Sequence, residues 1–267
     1  MAAAAGGVMN KRLSLALLLS LAVFLVSVLF LSSIMKEGPP DKAKAFPRGA
    51  IVVGVDAAVP PFASDDGQAV YGLDIDLANA IAAHIDLPIQ FVNIGYYGLY
   101  DALISGEVDI LISALRVEEA RMDDVRYTRH YFDNGLLLVT PVDKPIPSLD
   151  GLAGQKVSYE FGSRADAELR VLEDEHEPVT RLPYELPTYA LDSLRLAHAD
   201  AAIVDATTLR LYQRRFANWS TAQRYLTRDP YAIATRHDNS DAWRLVDGAL
   251  AALKENGELD RIIAMWL

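Results

Sequence analysis

The chain contains no cysteine. That excludes disulfides, thiolate metal sites, a cysteine nucleophile and lipid attachment through an N-terminal cysteine. Basic charge is also short. Lysine and arginine number 25 against 36 aspartates and glutamates, a formal net charge of -11. With no basic stripe to displace counterions from phosphates, nucleic acid is not an expected partner. The five histidines (His84, His130, His176, His198 and His237) are scattered, none paired at metal-ligand spacing. A glycine-rich phosphate loop, a GxSxG elbow, an HExxH pair and EF-hand spacing are all missing. No cofactor and no metal site are expected.

Apolar residues, by contrast, make up 51% of the 267 positions, enough for one large domain or two of ordinary size. After Lys11-Arg12, Leu13 to Met35 reads "LSLALLLSLAVFLVSVLFLSSIM", without a charge. A helix of that length would span roughly 34 Å, enough to cross a bilayer core. A cleaved export signal usually has an apolar region of about 7–15 residues and a small-x-small exit. The exit here, "SSIMKEG", is a poor cleavage site. The expectation is a cytoplasmic N-terminus over 1–12 and a transmembrane anchor or signal segment over 13–35. The rest would lie outside the cell membrane, in the periplasm or at the cell exterior. Residues 36–48, "KEGPPDKAKAFPR", mix charge and proline with no apolar period and read as a linker.

Beyond the linker, strand and helix patterns alternate. "AIVVGVD" is a short β-branched run of the kind that makes a buried parallel strand. "LDIDLANAIAAHI" places Ile75, Ala78, Ile81 and Ala82 on one helical face. "PIQFVNI", a short helix "LYDALISGE" and the strand "VDILISAL" follow. A break of proline and glycine over "LLLVTPVDKPIPSLDG" opens a second unit, with strands "QKVSYE" and "ADAAIVD" and helices near 165–173 and 189–197. After it, "YAIA" reads as a returning strand and "DAWRLVDGALAALKENG" as an amphipathic helix striped by Trp243, Val246, Leu250 and Leu253. The alternation predicts an α/β fold of two lobes, each a mostly parallel sheet flanked by helices. Lobe 1 is expected over 49–140 and 228–267 and lobe 2 over 145–225, with passages between them near 140–144 and 226–231.

In open α/β sheets ligands bind beyond the carboxyl ends of strands. Asp56, Ser113, Gly162-Ser163 and Asp205 all occupy that position. The stretch "DILISALRVEEAR" adds Arg116, Glu118 and Arg121, where a strand is expected to turn into a helix. Arg121, the Ser113 region and that helix N-terminus would favour an anion. Asp56 and Asp205 would favour a cation. A site offering both suits a small zwitterion.

From Ile51 to Trp266 the sequence resembles the periplasmic solute-binding proteins of ABC importers, specifically the polar amino-acid class, solute-binding family 3, with its type II periplasmic-binding-protein-like fold. The likeness is carried by "IVVGVDAAVPPFASDDGQAVYGLDIDLANAIA", "GLYDALISGEVDILISAL", "VRYTRHYFDNGLLLV" and "GELDRIIAMWL". It implies an amino-acid ligand held between the lobes and a membrane permease as partner, with no catalysis. Carried over, Arg121 would clamp the ligand carboxylate, with Ser113, Ala114, Gly162 and Ser163 donating to it. Asp205 would take the α-ammonium, and Asp56, Phe62 and Tyr96 would line the side-chain pocket. Glu118 stands where the family often has threonine, Arg116 where a small residue is usual, and Val59 where an aromatic residue often precedes Pro-Pro-Phe. Arg116 and Glu118 would either neutralise one another or read a polar ligand side chain. Two alternatives come with the resemblance. One is a cyclohexadienyl (prephenate or arogenate) dehydratase-like enzyme on the same scaffold, with Glu118 as general acid. The other is a receptor subunit of a signalling system.

Overall fold

The computed structural model describes residues 38–147, 149–175 and 178–267, together with Leu21, Phe24 and Leu25. Apart from those three residues, the expected 1–12 tail and 13–35 segment lie outside the described residues, as does the start of the linker. Among the described residues no helix is long and apolar enough to cross a membrane. The chain divides into two units, Met1–Pro40 and Asp41–Leu267, and among the described residues every strand lies in the second.

The far end of the expected linker is folded. Asp41 caps a short helix, Lys42–Ala45, its carboxylate accepting from the Ala43 N–H at 2.9 Å. Ala45 and Phe46 are buried in the main core beside the helix Ser240–Glu255. Arg48 then reaches Asp109 at 2.7 Å. Ala45, Phe46 and the Arg48 contacts thus dock a segment whose charge and proline content read as a tether.

Ten strands build two five-stranded sheets. The first contains β1 (Ile51–Val55), β2 (Ile89–Asn93), β3 (Ile110–Leu111) and β4 (Val125–Tyr127). The second contains β5 (Leu136–Pro141), β6 (Lys156–Glu160), β7 (Thr180–Tyr184), β8 (Ala201–Asp205) and β9 (Thr221–Tyr225). The chain then returns to the first sheet as β10 (Ala234–Arg236). The spatial orders are β2-β1-β3-β10-β4 and β7-β6-β8-β5-β9. In each sheet the first two pairings are parallel and the last two antiparallel. The sheets are therefore mixed, with four strands of each running one way and a single strand, β10 or β5, running against them. β10 and β5 each enter directly from the other lobe, so they run against their new neighbours.

β5 lies wholly in the second sheet, paired with β8 and β9. The first passage therefore falls before Leu136, earlier than the expected 140–144. There Phe132–Asp133 pairs antiparallel with Pro230–Tyr231 of the second passage, so the two connections run side by side. A side chain at Gly135 would collide with the Thr227 carbonyl, which explains glycine at the point where they touch.

The helix Leu73–Ile85 forms as its pattern predicts, burying Ile75, Ala78, Ile81 and Ala82 on one face and ending on Asp86 in the left-handed region. Helices Ser240–Glu255 and Glu258–Trp266 pack against it. Ile81, Val246 and Leu250 are fully buried there; each such side chain contributes about 1.5–3 kcal/mol. The second lobe flanks its sheet with helices Arg164–Glu175, Pro187–Arg195 and Ala206–Arg215. In both lobes this packing leaves the carboxyl ends of the parallel strands to carry polar groups.

Candidate functional site

At the first lobe's strand ends, polar groups are bonded mostly to one another. The Asp56 N–H donates to Ser113 Oγ at 3.0 Å. The Asp56 carboxylate accepts from the Ala58 and Tyr96 N–H groups, both at 3.1 Å. Ser113 is buried, and Ala114 follows in the left-handed region at φ 46. That conformation costs a non-glycine residue about 1 kcal/mol. It is held by a hydrogen bond from the Ala114 N–H to Asp74 Oδ2 at 2.7 Å. Asp74 is fully buried in the first turn of its helix. Burial pushes its pKa from 3.8 up to about 7. Tyr131 faces it, yet neither Asp74 Oδ1 nor the Tyr131 hydroxyl makes a well-formed hydrogen bond.

The helix expected after Val117 is only a single 3-10 turn, Glu119–Arg121. So short a turn aligns too few peptide dipoles to supply the anion-attracting N-terminus that was expected. The charges sort differently as well. Arg121 donates through Nε to Glu118 Oε2 at 2.8 Å, and its guanidinium lies over the Tyr100 ring at 3.9 Å. The Tyr96 hydroxyl approaches Glu118 Oε1 at 3.4 Å. Arg116 does not neutralise Glu118. It turns instead to Asp229, Nε to Oδ2 at 3.1 Å.

Asp229 is the meeting point of the two halves. Its Oδ2 also accepts from Arg164 of the second lobe at 2.7 Å. One nearly buried carboxylate thus ties an arginine after β3 to an arginine after β6. Beside them the second lobe presents two helix N-termini. Ser163 accepts through Oγ from the Ala165 N–H at 3.1 Å and donates to the Glu160 carbonyl at 2.7 Å. Gly162, at φ 72, donates its N–H to buried Asp166 at 2.9 Å. Asp205 caps the helix Ala206–Arg215, accepting from the Thr208 N–H at 2.8 Å and the Thr208 hydroxyl at 2.7 Å. Glu160, at the end of β6, has its pKa raised by burial first and by neighbouring Asp205 second.

A cavity of about 210 Å³ opens among these groups, lined by Arg116, Asn134, Glu160, Ser163, Arg164 and Asp205, with Leu136, Pro187 and Ile203 as apolar wall. Of the expected site residues it gathers Arg116, Ser163 and Asp205, with Gly162 adjoining Ser163 in sequence. Asp56, Tyr96, Ser113, Ala114, Glu118 and Arg121 stay in the first-lobe network and do not line this cavity. Phe62 does not line this cavity either. It is buried edge-on to Phe132 and Tyr231, with ring centres 5.6 and 5.3 Å away. The cavity and its bridge also bring in Glu160, Arg164, Asn134 and Asp229, which sequence reasoning does not single out. Glu160 was within reach, because the strand-end rule that singled out Asp205 applies equally to the end of β6.

Comparison with known proteins follows this geometry. Residues 51–267 match the family described as bacterial extracellular solute-binding proteins, family 3. The L-cystine-binding protein TcyJ of Escherichia coli (strain K12) is 25% identical over 251 residues, covering 92% of this chain and 92% of the relative. The ABC transporter arginine-binding protein 1 of the same organism is 26% identical over 219 residues, covering 80% and 88%. Among solved structures, substrate-binding domain 2 of Lactococcus lactis GlnP in its open conformation superposes with a TM-score of 0.68. It is 24% identical, over 86% of this chain and 98% of that one, and it supports the fold alone.

Proposed function

Because the chain belongs to the bacterial extracellular solute-binding proteins, family 3, we propose that it holds a small polar amino acid between its lobes and delivers it to an ABC permease. The observation that carries this is the cavity on the Arg116–Asp229–Arg164 bridge, where arginines and carboxylates face one small space. A zwitterion needs both signs at once. A carboxylate would sit against the arginines, the α-ammonium against Asp205, whose bonds to Thr208 leave lone pairs open. Arg121 engages Glu118 through Nε, so its Nη groups would meet the ligand carboxylate when the lobes close. Ligand contacts made from both lobes would favour a closed state over an open one.

The names of the relatives, which bind cystine and arginine, support the amino-acid class. Binding without chemistry is further supported by Glu118, the general acid that an enzyme would use, whose oxygens face Arg121 and Tyr96. Leu13–Met35 would act as the anchor or export signal that keeps the protein near its permease. A thermal-shift screen over the amino acids tests the binding role. A ligand at about 100-fold its Kd should stabilise by about 2.7 kcal/mol, and no shift with any amino acid would refute it. Intact-mass measurement of membrane and soluble fractions tests the anchor, and a soluble product starting after Met35 would reduce it to an export signal.

A further inference from the structure

We infer that the cavity selects an amino acid carrying a second cationic group, and that Glu160 is the residue that reads it. This deepens the amino-acid reading and rests on it. The argument begins with charge. Arg116 and Arg164 both commit to one oxygen of Asp229, at 3.1 and 2.7 Å. Asp205 and Glu160 face the same cavity. Two cations therefore stand against three carboxylates. A neutral zwitterion adds no net charge, so it leaves one negative charge uncompensated in a partly desolvated space. Such a charge is unfavourable. A ligand with net charge +1 brings the ensemble to neutrality.

Geometry assigns the second cation to Glu160 rather than to Asp205. Asp205 is fixed as a helix cap by Thr208. Glu160 differs: its backbone carbonyl accepts from Ser163, but its carboxylate makes no hydrogen bond or ion pair among the described residues. Burial and the nearness of Asp205 already raise the pKa of this carboxyl, the behaviour of an acid that lacks its counterion. Arg164, two positions past Gly162 on the same turn, is held away by Asp229 and is not that counterion. The apolar wall of Leu136, Pro187 and Ile203 provides the surface along which a side chain's methylenes would lie.

Calorimetry at pH 7.5 tests this with paired ligands of nearly equal shape, L-arginine against L-citrulline and L-lysine against L-norleucine. The wild type should prefer the cationic member of each pair by about tenfold or more, the effect of one partly desolvated charge pair. Glu160→Gln should reduce that preference to within about twofold, and Glu160→Asp, which retains the charge, should keep it. Equal or better binding of the neutral members by the wild type would overturn the inference and leave the amino-acid reading standing. Undiminished preference in Glu160→Gln would overturn the role of Glu160. No binding of any amino acid would remove both.

Discussion

The two lobes share a sheet plan and a local device, yet they push its carboxyl group in opposite directions, towards the neutral acid in one and the carboxylate in the other. In the first lobe Asp74, in the opening turn of its helix, accepts from the N–H of Ala114 at φ 46. In the second lobe Asp166, also in an opening turn, accepts from the N–H of Gly162 at φ 72. Both aspartates are buried and both fix a left-handed residue beside a site strand. Among the described residues Asp74 has no cationic partner, and burial raises its pKa. Asp166 is bonded by Arg170 and Arg181, and its pKa is lowered, chiefly by the Arg170 bond. The same hydrogen bond is thus held by a carboxyl inclined to keep its proton in one lobe and by a carboxylate in the other.

That contrast fixes the sign of two pH effects. For Asp74, a pKa raised from 3.8 to about 7 means that folding favours the protonated form. Its contribution is present in acid and is lost as pH rises through 7, by at most about 4 kcal/mol. Asp74→Asn should therefore flatten the decline in stability between pH 4 and pH 8, read by urea denaturation across that range. A variant whose pH profile parallels the wild type would break the comparison on the first-lobe side. Asp166 has the opposite sign: its stabilisation is present above the ordinary carboxylate range and fades as pH falls through the lowered value. Asp166→Asn should destabilise by about 2–3 kcal/mol at pH 7, because two arginines lose their anion at a buried position. The loss should shrink in acid. A loss that stays constant with pH would show packing rather than charge at work.

Much of this architecture is readable from periodicity. Isoleucine and alanine at helical spacing mark Leu73–Ile85, and β-branched runs mark β1 and β8. What periodicity does not carry is partnership. "GLLLVTP" reads as a continuation of the first lobe, because a leucine run is the same whether it pairs with β4 or with β8. Phe62 reads as a pocket aromatic because nothing local reveals that Phe132 and Tyr231, from the two passages, enclose it. The ion pairs were the hardest to foresee. Arg116 and Glu118 stand two positions apart with opposite charges, but they diverge to Asp229 and Arg121. Asp229 lies far along the chain, and only the return passage brings it to Arg116. Strand-end logic does bring Asp205 and Ser163 to one cavity, since topology places such ends together whatever the register.

The smallest expected effect sharpens the first-lobe side. The Glu118–Arg121 pair is more than a third exposed on both sides, so its loss should cost under about 1 kcal/mol. Glu118→Thr removes the negative charge and frees Arg121 Nε. Stability should hardly move, while affinity for a carboxylate-bearing ligand should rise. Calorimetry beside a denaturation curve separates the two, and an affinity that falls would show that Glu118 contacts ligand rather than restraining Arg121.

The central claim is that the second lobe takes the α-ammonium through Asp205. Asp205→Asn is the direct probe, since asparagine caps a helix about as well as aspartate: its one oxygen can keep the Thr208 N–H, while the charge and the second acceptor oxygen are lost. Calorimetric titration of both proteins with the best amino acid from the thermal screen is the decisive measurement. The variant should keep its melting temperature and lose about 100-fold in affinity, the effect of unpairing a desolvated ammonium. Affinity within about twofold of the wild type would contradict the claim.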